Sequence, residues 1–202
     1  MNSSMWDARY AASQVWDLEP SPTVVEALEG MPRGRALDVG AGEGRHSLWL
    51  ASRGWQVTAV DQSTVAVGRI QARAAMLGLD IEAEVADVTH FAPRRRGFDL
   101  VLFSYLQLPM VSLKLALRTG AAALAEAGEL FLVAHDLSNV ANGYGGPSDP
   151  DLMTSADAVA AVLTAAGLEV TRAQVVTRQV TTDTGLRFAL DHVVQAVQHE
   201  AA

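Results

Sequence analysis

Short β-rich runs alternate with longer helical stretches along most of this chain, and the alternation stops abruptly near the C-terminus. The first run, residues 35–39, leads through glycines into a helical stretch that reaches Arg53, where Gly54 ends it. A second run covers 56–60. Ser63 then reads as the N-cap of a helix to Leu77, with Gly78 beyond its end. Further strands are expected at 81–85, 98–103 and 129–134, and a helix over 110–126 closed by Gly128. Thr154-Ser155-Ala156-Asp157 resembles a capping box for a helix that stops before Gly167. The last two runs, 168–176 and 186–197, are joined by Thr181-Thr182-Asp183-Thr184-Gly185, which has no room for a helix. They must therefore pair antiparallel. Five strand-helix units plus a terminal hairpin predict an α/β fold with a mostly parallel sheet and helices on both faces. The longest stretch without a period is residues 136–153, and long loops of this kind usually carry function. The first thirty residues, with Trp6, Tyr10 and Trp16, precede the first strand.

Composition narrows the possibilities. A chain of 202 residues, half of them apolar, suits one well-buried domain. The formal net charge of -8 is opposite to the basic footprint of a nucleic-acid binder. There is no cysteine, so disulfides, thiol nucleophiles and Cys-ligated zinc are excluded. His90, His192 and His199 show no metal-ligand spacing, and no metal is expected. No apolar run is long enough for a membrane span and the N-terminus lacks a signal-peptide core, so a cytoplasmic protein without membrane contact is expected.

The chemistry concentrates in Asp38-Val39-Gly40-Ala41-Gly42-Glu43-Gly44, at the end of the first strand and the start of a helix. Glycines there let the main chain approach a ligand closely, and the helix N-terminus adds unpaired N–H donors. Asp61 ends the second strand about 20 residues later, where an acidic side chain accepts both hydroxyls of a ribose. Each such charged hydrogen bond contributes about 1.5–3 kcal/mol. Asp87 follows the third strand, placed to accept from the exocyclic amine of a base. All three positions fall at carboxyl ends of strands, where open α/β sheets bind ligands.

These residues resemble those of class I S-adenosylmethionine-dependent methyltransferases, and the resemblance runs over nearly the whole chain. Residues 38–44 match the family's acid-x-Gly-x-Gly-x-Gly loop, Asp61 its ribose-binding acid, Asp87 its adenine-reading acid, and Phe98-Asp99-Leu100-Val101 its fourth-strand motif. Trp6-Asp7-Ala8-Arg9-Tyr10 and the segment from Gly44 to Ala51 are similar to those of small bacterial tellurite-resistance and thiol S-methyltransferase-like members, in which the N-terminal segment folds over the cofactor. The resemblance implies a Rossmann-like, seven-stranded, mostly parallel sheet with an antiparallel last strand. It implies one domain over 1–202: a helical cover (1–30), a cofactor-binding half (31–135), and a substrate-side loop, helix and hairpin (136–202). The implied cofactor is S-adenosyl-L-methionine, leaving S-adenosyl-L-homocysteine as product. It would be held by Asp38, Gly40, Ala41, Gly42, Gly44, Asp61, Gln62, Asp87 and Val88, with Arg9 and Tyr10 from the cover. The Asn/Asp-Pro-Pro-Tyr motif of many amide and nucleobase N-methyltransferases is replaced by Ser104-Tyr105-Leu106-Gln107. A small-molecule methyl acceptor is expected, on a monomer or homodimer.

Methyl transfer needs an in-line nucleophile and a dry site, and a base only when the acceptor arrives protonated. His135, Tyr105 and His46 are the catalytic candidates, and Asp136, Tyr144 and Trp6 the acceptor contacts. Two other classes remain. A non-catalytic module would bind the same cofactor without turnover. A nicotinamide-dependent oxidoreductase fits less well, because the glycines alternate at 40, 42 and 44 and Lys114, the single lysine, has Met110 rather than Tyr four residues before it.

Overall fold

The computed structural model describes residues 3–15 and 18–199; Trp16 lies outside them. Helices α1 (Ser3–Ala12) and α2 (Pro22–Leu28) precede β1 (Arg35–Val39), α3 (Arg45–Ser52), β2 (Gln56–Asp61), α4 (Thr64–Leu77), β3 (Ile81–Val85), β4 (Phe98–Ser104), α5 (Met110–Ala123) and β5 (Leu124–His135). A short helix α6 (Asn139–Asn142), a single 3-10 turn and α7 (Ala156–Ala165) lead to β6 (Glu169–Thr182) and β7 (Gly185–Val197).

The seven strands lie in the order β3-β2-β1-β4-β5-β7-β6. Only β7 runs against the others, pairing antiparallel with both β5 and β6. The sheet is covered on both faces, which is why its central strands are continuously apolar rather than alternating. Val101 and Phe103 join Leu117 and Leu163 from α5 and α7 on one face. Leu100 and Leu102 join Leu28 and Leu50 from α2 and α3 on the other.

The local signals that place the site are sharp. Ser63 accepts from Ala66 N at 3.1 Å and caps α4, and Gly78 closes that helix in the left-handed conformation. Three expectations need correcting. Helix α5 ends at Ala123, not 126, because the chain has already entered β5 at Leu124; Gly128 lies within that strand, after a register shift opposite Phe98–Leu100. The cap of α7 is Ser155, which accepts from Ala158 N; Thr154 bridges to Asp136 and is buried. The segment 136–153 is not a bare loop, since α6 and the 3-10 turn lie in it.

Candidate active site at the carboxyl edge of the sheet

The glycine-rich segment turns the chain from β1 into α3. Gly40 has φ +74, and a Cβ there would meet Leu106 Cδ1 at 2.6 Å. Gly44 has φ +84, and its Cβ would meet Ile70 Cγ1 at 2.7 Å. Gly40 is therefore bare toward the cavity side, whereas Gly44 is bare so that α4 can pack. The main chain of residues 40–42 faces a cavity of about 450 Å3, within the usual range for small-molecule sites. The same cavity reaches Asp61 and Gln62 after β2, Tyr105 to Leu108 after β4, His135 at the end of β5, and Arg178 and Gln179 of β6. Trp6 and Tyr10 of α1 and the segment 19–22 complete its wall.

Asp61 is almost fully buried. Its carboxylate accepts from Gly42 N at 2.8 Å and Ser63 N at 2.9 Å. Burial pushes its pKa up, against the pull of those two N–H groups. Each carboxylate oxygen keeps a second lone pair, so two acceptor positions remain at the edge of the cavity. A bare main-chain turn and a buried carboxylate with spare lone pairs, on adjacent strands, fit a ligand that presents vicinal hydroxyls and needs close backbone approach.

The cover is fastened by side chains the sequence had not singled out. Asp7 of α1 accepts from Ser63 Oγ at 2.5 Å and Val65 N at 3.2 Å, which holds its carboxyl below the usual range. Glu43, buried in the glycine turn, accepts from Val15 N at 2.8 Å and from Arg69 Nη1 at 2.5 Å. Trp6 and Tyr10 stack with centroids 5.6 Å apart.

On the other side, strand order brings β4, β5, β7 and β6 together. Tyr105 takes φ +53, a left-handed conformation unusual for a tyrosine. Its hydroxyl donates to Asp191 Oδ2 at 2.7 Å, its ring lies 5.0 Å from that of His135, and Arg45 and Arg178 each place a guanidinium 5.6 Å from its centroid. Burial and the Asp191 charge raise the phenol to about 12, so it stays protonated. His135 Nδ1 lies 2.9 Å from Asp191 Oδ1, and Arg178 Nε donates to Oδ2 at 2.6 Å.

Several expected site residues lie elsewhere. Asp38 is buried behind the loop, accepting from Ser47 Oγ at 2.6 Å, and burial pushes it up to about 6. It ties α3 to β1 rather than facing the cavity. His46 reaches the cavity, but its Nε2 accepts from Ser21 N at 3.1 Å and burial lowers it to about 3. It is a neutral ring that anchors the segment before α2, not a base. Asp87 lines a separate groove with His90 and Phe91, its carboxylate accepting from Thr89 N and Oγ1, which hold its pKa down. Val88 packs into the core on the α5 side. Asp136 is buried, accepting from Ser138 N and Oγ while facing His192, and pins the loop after β5. Tyr144 is exposed away from the cavity; the neighbouring Gly146 is what packs on the His135 ring. Arg9 is exposed, its guanidinium 5.2 Å from the Trp6 centroid.

A family model described as a methyltransferase domain matches residues 36–128, from β1 into β5. Solved structures of the class superpose over nearly all of the rest. The N-methyltransferase NodS of Bradyrhizobium japonicum, solved with S-adenosyl-L-homocysteine, covers 98% of this chain and 98% of its own at TM-score 0.75 and 18% identity. Residues 36–128 thus match a methyltransferase domain, and the whole chain has the fold of a methyltransferase solved with S-adenosyl-L-homocysteine. TehB of Haemophilus influenzae shares the fold at TM-score 0.73 and 15% identity, over 96% of this chain and 67% of TehB. A 2-heptyl-1-hydroxyquinolin-4(1H)-one methyltransferase of Mycobacteroides abscessus is 31% identical over 99 residues, 48% of this chain and 44% of that protein. The matched stretch thus spans less than half the length of that curated relative. Among the described residues, no helix is long and apolar enough to cross a membrane.

Proposed function

We propose that this methyltransferase moves the methyl group of S-adenosylmethionine onto a small-molecule acceptor by in-line displacement and releases S-adenosylhomocysteine. The observation that carries the reading is a single cavity shared by the glycine turn, Asp61, Tyr105, His135 and Arg178, under Trp6 and Tyr10. The sheet order puts the glycine turn and Asp61 on the β1–β2 side and the other three on the β4–β6 side. The first set suits the adenosyl group and the second an acceptor.

When bound, the cofactor supplies a methyl group on a positively charged sulfur, an electrophile that needs no further activation. The bare main chain of 40–42 lets its amino-acid end approach closely, the N–H groups of that turn being already committed to Val60 O and Asp61, and Asp61 accepts from the ribose. Trp6 and Tyr10 exclude water. His135 is the one catalytic candidate whose second nitrogen is left for an acceptor, since Tyr105 is held protonated and His46 is occupied. A small acceptor suits a cavity walled in part by the N-terminal segment.

The test is release of S-adenosylhomocysteine from S-adenosylmethionine with a panel of thiols, phenols, amines, tellurite and selenite. Turnover with any of them supports the reading. Tight cofactor binding without turnover favours a non-catalytic module, and no binding at all refutes it.

A further inference from the structure

Asp191 stands in the middle of β7, opposite His135 of β5 and Val176 of β6, and is fully buried. A carboxylate in that position must be paired to stay charged. Three donors converge on it: His135 Nδ1 on Oδ1, and Tyr105 Oη and Arg178 Nε on Oδ2. Burial alone would push its carboxyl up; the three hydrogen bonds and the Arg178 charge outweigh it and hold the group below the usual range. All three donors line the one cavity. A purely structural ion pair would need only Arg178 and would not need its partners gathered on one wall.

We infer that Asp191 is the positioning residue of the acceptor side, fixing His135 with its proton on Nδ1 and its lone pair on Nε2, while Arg178 balances its charge. The inference rests on the reading of His135 as the base of a methyltransferase. An ionised carboxylate can only accept, so the nitrogen facing it must be the donor, and a neutral imidazole carries one proton. The ring is also clamped. Tyr105 lies against it at an interplanar angle of 50°, and a Cβ on Gly146 would come to 3.1 Å of its Cδ2 and Cγ.

The geometry selects a class of acceptor. A hydroxyl, thiol or amine passes its proton to Nε2 as its lone pair takes the methyl group, the bonding pair staying on sulfur. The new positive charge rests on the imidazolium beside Asp191 until water removes the proton. An acceptor whose nucleophile carries no proton, such as a thioether or a tellurite oxyanion, gains nothing from this pair. The charged and titratable groups packed about His135 are Asp191 and His192 of β7, Arg178 of β6, Tyr105 after β4 with Arg45 above its ring, and the adjacent Asp136.

Asp191→Asn is the decisive variant. Its amide oxygen must face the two donors, Tyr105 and Arg178, so its NH2 faces His135 and drives the imidazole proton onto Nε2. With a phenol or thiol acceptor, kcat is expected to fall on the order of 10²-fold or more while KM changes little. His135→Gln should fall as far, and the double variant no further. Arg178→Met leaves the Asp191 charge unbalanced and should move the acid limb of kcat/KM to higher pH. Nitrogen-15 spectra of the imidazole read the tautomer in the unaltered protein, so the idea stays testable even where Asp191→Asn does not fold. A proton on Nε2 there overturns the inference, as does an active Asp191→Asn beside an inactive His135→Gln. A fully active His135→Gln instead overturns the reading of His135 as base.

Discussion

Replacing Asp61 by Ala separates a ligand-binding carboxylate from a merely structural one. The side chain has two duties. Toward the protein it accepts from Gly42 N and Ser63 N. Stranding buried donors costs about 1–3 kcal/mol each, partly returned here by removing a charge that burial already disfavours. A net loss of about 1–3 kcal/mol lowers Tm by roughly 2–4 °C per kcal/mol in a domain of this size. Toward the ligand, two charge-assisted bonds from ribose hydroxyls contribute about 3–6 kcal/mol together, which is roughly a 10²–10⁴-fold weakening of Kd. Calorimetry with S-adenosylhomocysteine reads the second effect and differential scanning fluorimetry the first. Asp61→Asn keeps one good acceptor and should fall between. A lowered Tm with an unchanged Kd would refute the argument, because it would leave the carboxylate with its structural duty alone.

Other expectations follow from the buried groups. Because burial raises folded Asp38 to about 6, its stabilising contribution is complete below pH 4 and lost as pH rises through 6. Asp38→Asn keeps an acceptor for Ser47 and removes that loss, so urea titrations should show it gaining up to about 3 kcal/mol on the unaltered chain between pH 4 and 8. A difference that does not vary with pH would contradict this. His46 behaves oppositely: its folded value of about 3 lies below 6.5, so its contribution is present above pH 6.5 and lost on acidification. His46→Gln should flatten the acid loss of stability by up to about 1.4 kcal/mol per pH unit between pH 6 and 4; an unchanged slope would contradict it. Asp7→Ala releases α1 from the start of α4. Limited trypsin digestion should then cut near Arg9 faster and cofactor dissociation should quicken, with the urea midpoint little moved.

The sheet was largely legible because its signals are local. Ser63, Gly78 and Gly54 mark helix ends by side chain and left-handed backbone alone, and the short turn at 181–185 forces an antiparallel hairpin. Where two readings competed, the nonlocal one won. Ala123 to Gly128 follows helical composition, but pairing with β4 draws it into the sheet. The glycine turn and Asp61 were readable from spacing, and the structure places both at the cavity. Asp191 and Arg178 were not, because nothing in the local pattern says that a hairpin brings them under Tyr105 and His135. One signal was present: Asp191-His192 are two ionisable residues inside an apolar run, and buried polar pairs in a strand need partners. Glu43 fills a position that the glycine motif leaves open, and its partners come from α4 and the N-terminal segment, far away in sequence.

The proposed chemistry depends on where an adenosyl ligand sits. A crystal structure with S-adenosylhomocysteine should show its ribose hydroxyls on Asp61 and its amino-acid end against the main chain of Gly40 to Gly42, with the sulfur facing the wall of Tyr105 and His135. Density for the ligand in the groove beside Asp87 and His90, or no binding by the folded chain at saturating concentration, would contradict it.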